Sequence, residues 1–291
     1  MTKENSAQAG LAMPALFVLL WATGFIGAKL GLPHAPPLMF LVLRFALVII
    51  LMTTIALTMR APWPRGIQIA HVAIAGVLLQ AGYLGGVFVG IDLGMSAGLS
   101  SLIVSMQPIL TAFAGSMSGE PVSRRQWFGL VLGFAGVFMV VSNKINLGVV
   151  SGASLSVTLV ALATITVGTL YQKRYCGAQD LRTQSVVQFA AATAVLLPLS
   201  LLLEDRPVRW NGEFVFALAW LVLVLSLGAI SLLLILIRRG AATQVSSLMY
   251  LVPPVTAVMA WLAFGETLTP MALGGFCVAM AGVALVIRPA R

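Results

Sequence analysis

The sequence predicts an all-α membrane protein of ten transmembrane helices, arranged as two inverted five-helix repeats. Three observations predict it: a composition that cannot coat a water-facing surface, ten apolar runs of spanning length, and a second half that repeats the first. Of 291 residues, 60% are hydrophobic and 9% charged, with 17 Lys and Arg against 8 Asp and Glu. The mean hydropathy is +1.03. A soluble domain needs about 25% charged residues to keep its surface wet. Two cysteines in the chain are too few for a disulfide scaffold, and the apolar content excludes disorder.

A helix needs about 20 apolar residues to cross about 30 Å of hydrocarbon. Breaking the chain at charges, prolines and glycine clusters gives spans at 12–32, 37–59, 67–91, 95–118, 124–142, 150–172, 183–203, 213–237, 240–264 and 269–287. The connections are short, which fits antiparallel neighbours and leaves no room for a soluble domain. The apolar runs are continuous rather than alternating, so they read as helices and not as barrel strands. The first span follows Lys3 but has no clear small-x-small cleavage site, and is expected to be retained.

Charges then orient the spans. With the N-terminus in the cytoplasm, Lys3, Arg60, Arg65, Arg124, Arg125, Lys173, Arg174, Arg182, Arg238, Arg239, Arg288 and Arg291 fall on the cytoplasmic side. Lys29, Lys144, Arg206 and Arg209 fall on the other side, and Arg44 lies within a span. This bias obeys the positive-inside rule with both termini cytoplasmic. It also accounts for the net charge of +9 without a basic domain on which nucleic acid would dock.

Shifted by 146 residues, the stretch 95–141 meets 241–287 without a gap. Ser100 falls on Ser246, Ser101 on Ser247, Pro108 on Pro254, Glu120 on Glu266, Gly129 on Gly275 and Gly136 on Gly282. A shift of 144 sets Gly24 on Gly168, Lys29 on Lys173 and Arg44-Phe45 on Gln188-Phe189. The repeats are expected at 1–142 and 143–291, five spans each. Five is odd, so the second copy enters the membrane from the opposite side. Inverted repeats of this kind place a substrate site near the midplane between the copies and let one scaffold open alternately to either face.

These residues carry a family resemblance. Gly119-Glu120 followed by Gly129, Gly133 and Gly136, and its copy Gly265-Glu266 with Gly275 and Gly282, resemble the drug/metabolite transporter superfamily. So do Trp21-Ala22-Thr23-Gly24-Phe25 with Lys29, and the Arg44-Phe45 pair. The likeness covers essentially the whole chain as the ten-span metabolite exporter type, and is greatest to bacterial exporters of aromatic amino acids. It implies a secondary transporter of the bacterial inner membrane that exports neutral and aromatic amino acids by alternating access. A sugar-phosphate carrier is the alternative.

The resemblance also implies which spans face the central cavity: the first, third, fourth, sixth, eighth and ninth. Polar and aromatic residues there are the expected substrate contacts: Trp21, Thr23, Phe25, Gln80, Tyr83, Ser100, Ser101, Gln107, Thr166, Thr169, Tyr171, Gln244, Ser247 and Tyr250. Each also has a bland reading, as a helix–helix hydrogen bond or an interfacial aromatic. On an α-helix Gln80 and Tyr83 share a face. Rings and amides without an acid suit a zwitterion with an apolar or aromatic side chain. Pro108, Pro253 and Pro254 sit mid-span, where they are expected to kink or hinge the repeated helices.

Arg44 lies about two turns into its span, where a buried charge costs at least ~2.5 kcal/mol on insertion scales. It can snorkel, hold a helix end, or meet a substrate carboxylate. Glu120 and Glu266 read as structural acids at the starts of the helices that follow them, and Lys29 and Lys173 as cations at helix C-termini. The small faces of the fifth and tenth spans are expected to pack on each other within one monomer rather than form a dimer seam. No span carries Asp or Glu near its centre, and His34 and His71 stand at helix ends, which points to facilitated transport or exchange.

Gly94-Met95-Ser96-Ala97-Gly98 satisfies the G-x-S-x-G pattern of a hydrolase elbow, with His34 and Asp92 on the same side. That elbow requires a strand, a turn and a helix, so Ser96 is a remote alternative as nucleophile. Cys176 and Cys277 support neither metal nor disulfide. No cofactor is called for, and the lack of a P-loop argues against direct ATP drive.

Overall fold

The structure is a computed structural model that describes residues 3–117, 123–146, 150–177, 179–229, 232 and 251–287. All regular structure among the described residues is helical. The helices are α1 (Lys3–Gly31), α2 (Pro37–Thr58), α3 (Ile67–Asp92), α4 in two segments (Ala97–Val104 and Gln107–Met117) and α5 (Arg124–Asn146). They continue as α6 (Gly152–Tyr175), α7 (Leu181–Leu203), α8 (212–229), α9 (Val252–Phe264) and α10 (Pro270–Ile287). Four of them, α2, α3, α6 and α7, are individually long and apolar enough to cross a membrane; shorter apolar stretches lie in α1, α4, α5, α8, α9 and α10. Large apolar side chains stand exposed along them, among them Phe138 at 72% and Leu202 at 79%. Water would not tolerate so many at once; lipid does.

Local chemistry sets the helix ends. Ser96, Ser151, Asp180 and Asn211 cap α4, α6, α7 and α8 by accepting from the backbone N–H of Leu99, Ser154, Arg182 and Phe214, groups left without an intrahelical partner. Gly265 ends α9 at φ +64, a conformation that suits glycine. Lys29 and Lys173 do occupy the last turns of α1 and α6.

The chain divides into two compact units, and each draws on both halves of the sequence. One comprises Met1–Gly27, Ser96–Val150 and Leu223–Arg291, the other Ala28–Met95 and Ser151–Val222.

In the second unit α2 packs on α7, and α3 on α6 and α7. The close side of α3 is built from glycine: a methyl group at Gly82 would lie 2.9 Å from the Thr164 side chain, and one at Gly86 2.8 Å from Ala161. Without side chains there, the backbones approach and dispersion contacts replace the missing hydrophobic drive. Phe40 packs against Phe88 and Phe214 at ring separations of 5.4 and 5.0 Å. The Glu204 carboxylate accepts from Leu38 N at 2.7 Å, Met39 N at 2.9 Å and the Ser200 hydroxyl at 2.6 Å. It thereby caps α2, whose own cap position is Pro36 and supplies no acceptor.

In the first unit α5 packs on α10 through the small faces expected to meet. A methyl group at Gly136 would strike Ala279 N and come within 2.6 Å of Gly275 O; one at Gly282 would strike Gly133 N and come within 2.6 Å of Gly129 O. Under the 146-residue shift, Gly136 answers to Gly282, Gly133 to Ala279 and Gly129 to Gly275. Each residue thus touches the counterpart of the residue its own counterpart touches. That reciprocity is the mark of a local two-fold axis, here inside one chain.

The Glu266 carboxylate accepts from Ala97 N at 3.0 Å. It is structural, as expected, and it serves the N-terminus of α4. Glu120 lies outside the described residues.

Two helices widen along their length. Over Val77–Leu84 in α3 and Trp220–Ala229 in α8 the backbone adopts the π form, bonding i to i+5. The two segments overlap under the same 146-residue shift.

Candidate functional site

In the second unit, Arg44 is 4% exposed on α2, and its guanidinium and the Tyr83 hydroxyl lie within electrostatic reach of each other. Arg44 is therefore buried and does not snorkel to the surface. Its repeat counterpart Gln188, on α7, donates from Nε2 to the Gln172 side-chain oxygen at 2.8 Å. Gln80 and Tyr83 both fall in the π segment of α3. The expectation that they share a helix face is thereby corrected, because a wider turn separates residues three apart. Thr166 donates to Leu162 O at 2.7 Å, so its hydroxyl is satisfied by its own helix, while Thr169 is half-buried on α6.

Tyr171, near the C-terminal end of α6, has its hydroxyl 2.7 Å from His71 Nδ1. The imidazole stacks on Tyr175 at 4.6 Å with 7° between the planes, and the two tyrosine rings lie 4.7 Å apart. His71 stands in the second turn of α3, inside the helix rather than at its end. The adjacent Cys176 is buried, and that burial pushes its thiol above the ordinary cysteine range. Beyond it the Asp180 carboxylate is held below its usual range, first of all by its hydrogen bond to Arg182.

In the first unit, Trp21 packs on Phe17 at 5.5 Å and Phe25 is buried, while Thr23 donates to Leu20 O at 2.6 Å. Ser101 donates to Gly98 O at 2.8 Å. Gln107 and Pro108 open the second segment of α4, directly after the break at Ser105 and Met106. Pro108 carries no N–H, so the helical bond to Val104 O cannot form. Pro253 and Pro254 fall in the first turn of α9 rather than at mid-helix. Gln244, Ser247 and Tyr250 lie outside the described residues.

Two hydroxyls, Ser100 on α4 and Thr256 on α9, are fully buried and find no hydrogen-bond partner among the described residues. Buried hydroxyls are normally bonded, so both are positions where a polar ligand or water would be favoured. Sequence reasoning missed Thr256, whose only signal is its place one turn after Pro253. It also underrated His71, because nothing in sequence spacing links it to Tyr171.

The residues of the apparent hydrolase elbow have other work. Ser96 caps α4 through Leu99 N at 3.3 Å, His34 Nε2 pairs with Glu213 at 2.9 Å and Asp92 with Arg206 at 2.7 Å. The turn at Gly94, with φ +96, leads from one apolar helix into the next and not out of a strand.

Apolar helices and a glycine seam that obeys an internal two-fold define a polytopic membrane protein built from sequence repeats. The sequence matches the EamA-like transporter family over residues 8–142 and 152–288, and the protein belongs to that family and is a membrane transporter. It is 28% identical over 278 residues to a probable amino-acid metabolite efflux pump of Salmonella typhimurium, covering 92% of this chain and 91% of that one. It is 26% identical over 281 residues to a probable amino-acid metabolite efflux pump of Escherichia coli, with 92% and 91% covered. An uncharacterized transporter of Archaeoglobus fulgidus is 28% identical, with 93% and 94% covered. A solved crystal structure aligns over 94% of this chain and 96% of its own with a TM-score of 0.65 at 17% identity, which shows a shared fold.

Proposed function

We propose that the protein is a ten-helix secondary transporter that exports neutral, chiefly aromatic, amino acids across a bacterial inner membrane, with both termini in the cytoplasm. The observation that carries the reading is the likeness, over more than nine-tenths of both chains, to two proteins described as probable amino-acid metabolite efflux pumps. The reciprocal Gly136 and Gly282 contacts support two inverted five-helix repeats, 1–142 and 143–291, and hence alternating access. Substrate is contacted by Trp21, Phe25, Gln80, Tyr83, Ser101, Gln107, Thr166 and Tyr171. Gln244, Ser247 and Tyr250 join them. Arg44 meets the substrate carboxylate, and the α4 break at Pro108, with Pro253 and Pro254, acts as the hinge.

The test is a ligand screen on the purified protein by thermal unfolding, with neutral aromatic, basic and acidic amino acids and sugar phosphates. Phenylalanine and tryptophan are expected to stabilise it, as any ligand of the folded state does. Stabilisation by sugar phosphates alone would replace the amino-acid reading with the carrier alternative.

A further inference from the structure

We infer that His71 is a positioning residue whose protonation sets the hydrogen-bonding role of Tyr171, making affinity for a carboxylate-bearing substrate depend on pH. The inference rests on the proposed role of Tyr171 in substrate contact.

Imidazole is the side chain whose proton count ordinarily changes between pH 5 and 8. In the neutral ring with its proton on Nε2, Nδ1 has a lone pair and accepts the Tyr171 hydroxyl proton across the 2.7 Å contact. Adding one proton places N–H groups on both nitrogens. Nδ1 then donates to the Tyr171 oxygen, and the phenol proton must turn away from His71. The distance stays the same while the direction of the bond reverses. Tyr171 thereby becomes a free donor for a carboxylate. Stacking on Tyr175 at 7° fixes the ring plane, so that the switch does not require the imidazole to swing.

The other groups around the imidazole come from α6, the turn after it and α7. From α6 it faces Tyr171 and Tyr175, with the Arg174 guanidinium 5.5 Å from the Tyr175 ring centre. The following turn contributes Cys176, whose thiol burial keeps neutral. From α7 the apolar Val187 packs on the neighbouring buried cluster of Val72, Ala75 and Cys176. Asp180 and Arg182, at the start of α7, are paired with each other at 2.7 Å.

The experiment measures phenylalanine affinity at pH 6 and pH 8 for the full-length protein, its His71→Asn variant and its Tyr171→Phe variant in lipid nanodiscs. One charge-assisted hydrogen bond to the carboxylate gained at low pH corresponds to about 10- to 100-fold tighter binding by the wild type at pH 6. Both variants are expected to bind with no dependence on pH, His71→Asn because an amide cannot gain the proton, Tyr171→Phe because the donor is gone. Wild-type binding that is flat with pH, or a dependence that survives in either variant, overturns the inference. Imidazole NMR supplies a readout independent of substrate, since the chain has two histidines. Tyr171→Phe is expected to move the His71 resonance and leave His34 in place, and an unmoved resonance also overturns the inference. A wild type that binds no amino acid at either pH contradicts the export reading itself, an outcome distinct from intact binding that ignores pH.

Discussion

Gly274 and Gly275 are neighbours on α10, yet a methyl group would meet different surroundings at each. At Gly274 it has nothing within 4 Å; at Gly275 it meets the Val140 side chain and comes within 2.8 Å of Gly136 O. Replacing either glycine by alanine improves helix propensity by the same amount, about 0.5–1 kcal/mol. That gain cancels when the two variants are compared, leaving the clash at the seam. Overpacking of a close contact costs about 1–3 kcal/mol, and here one struck atom belongs to backbone and cannot rotate away. Gly275→Ala is therefore expected to be about 1–3 kcal/mol less stable than Gly274→Ala, and Gly136→Ala to behave like Gly275→Ala. Reversible unfolding in mixed detergent micelles measures the difference. Equal stability of the two alanine variants would refute the close α5–α10 seam and the two-fold argument built on it.

Three further expectations follow from the same geometry. Glu204→Ala removes the acceptor shared by Leu38 N and Met39 N and is expected to cost about 0.5–2 kcal/mol in the same unfolding assay; an unchanged midpoint would show that water caps α2 equally well. The Asp180 carboxyl is held below its ordinary range by Arg182, so its stabilisation is present above the usual Asp pKa of about 3.9 and lost as pH falls through its lowered folded value. The pair is partly exposed and screened by solvent, so the effect is small, and Asp180→Asn should remove that part of the acid sensitivity; a full acid response in the variant would assign it elsewhere. Arg44→Gln installs the residue found at its repeat counterpart, and loss of a charge-assisted hydrogen bond of about 1.5–3 kcal/mol should weaken phenylalanine binding about 10- to 100-fold. Phenylalaninamide, which has no carboxylate, should be unaffected, and equal losses for both ligands would assign Arg44 to packing.

Hydropathy and length settle helices such as 37–59, which is Pro37–Thr58, and 269–287, which is Pro270–Ile287, while parts of 213–237 and 240–264 lie outside the described residues. The α5–α10 seam was legible too, since the Gly129, Gly133 and Gly136 spacing and its copy have one close-packed solution. The π segment around Gln80 and Tyr83 was not, because an apolar run reads alike whether its backbone bonds to i+4 or i+5. The service of Glu266 to Ala97 was hidden for another reason. A helix-end acid looks the same in sequence whether it caps its own helix or one about 170 residues away. Candidate site residues on single helices were readable as polar groups in apolar runs. Their partners, such as His71 for Tyr171, depend on packing between helices and leave no trace in spacing.

The central claim is transport of neutral aromatic amino acids, and uptake of labelled phenylalanine into proteoliposomes tests it most directly, with and without an imposed pH gradient. Saturable uptake, competed by tryptophan and absent from empty liposomes, is the expected result. Accumulation driven by the gradient would identify proton coupling, overturning the expectation of facilitated transport or exchange that followed from spans without central carboxylates. Uptake no greater than that of empty liposomes, with the protein folded and stabilised by none of the amino acids, would contradict the claim.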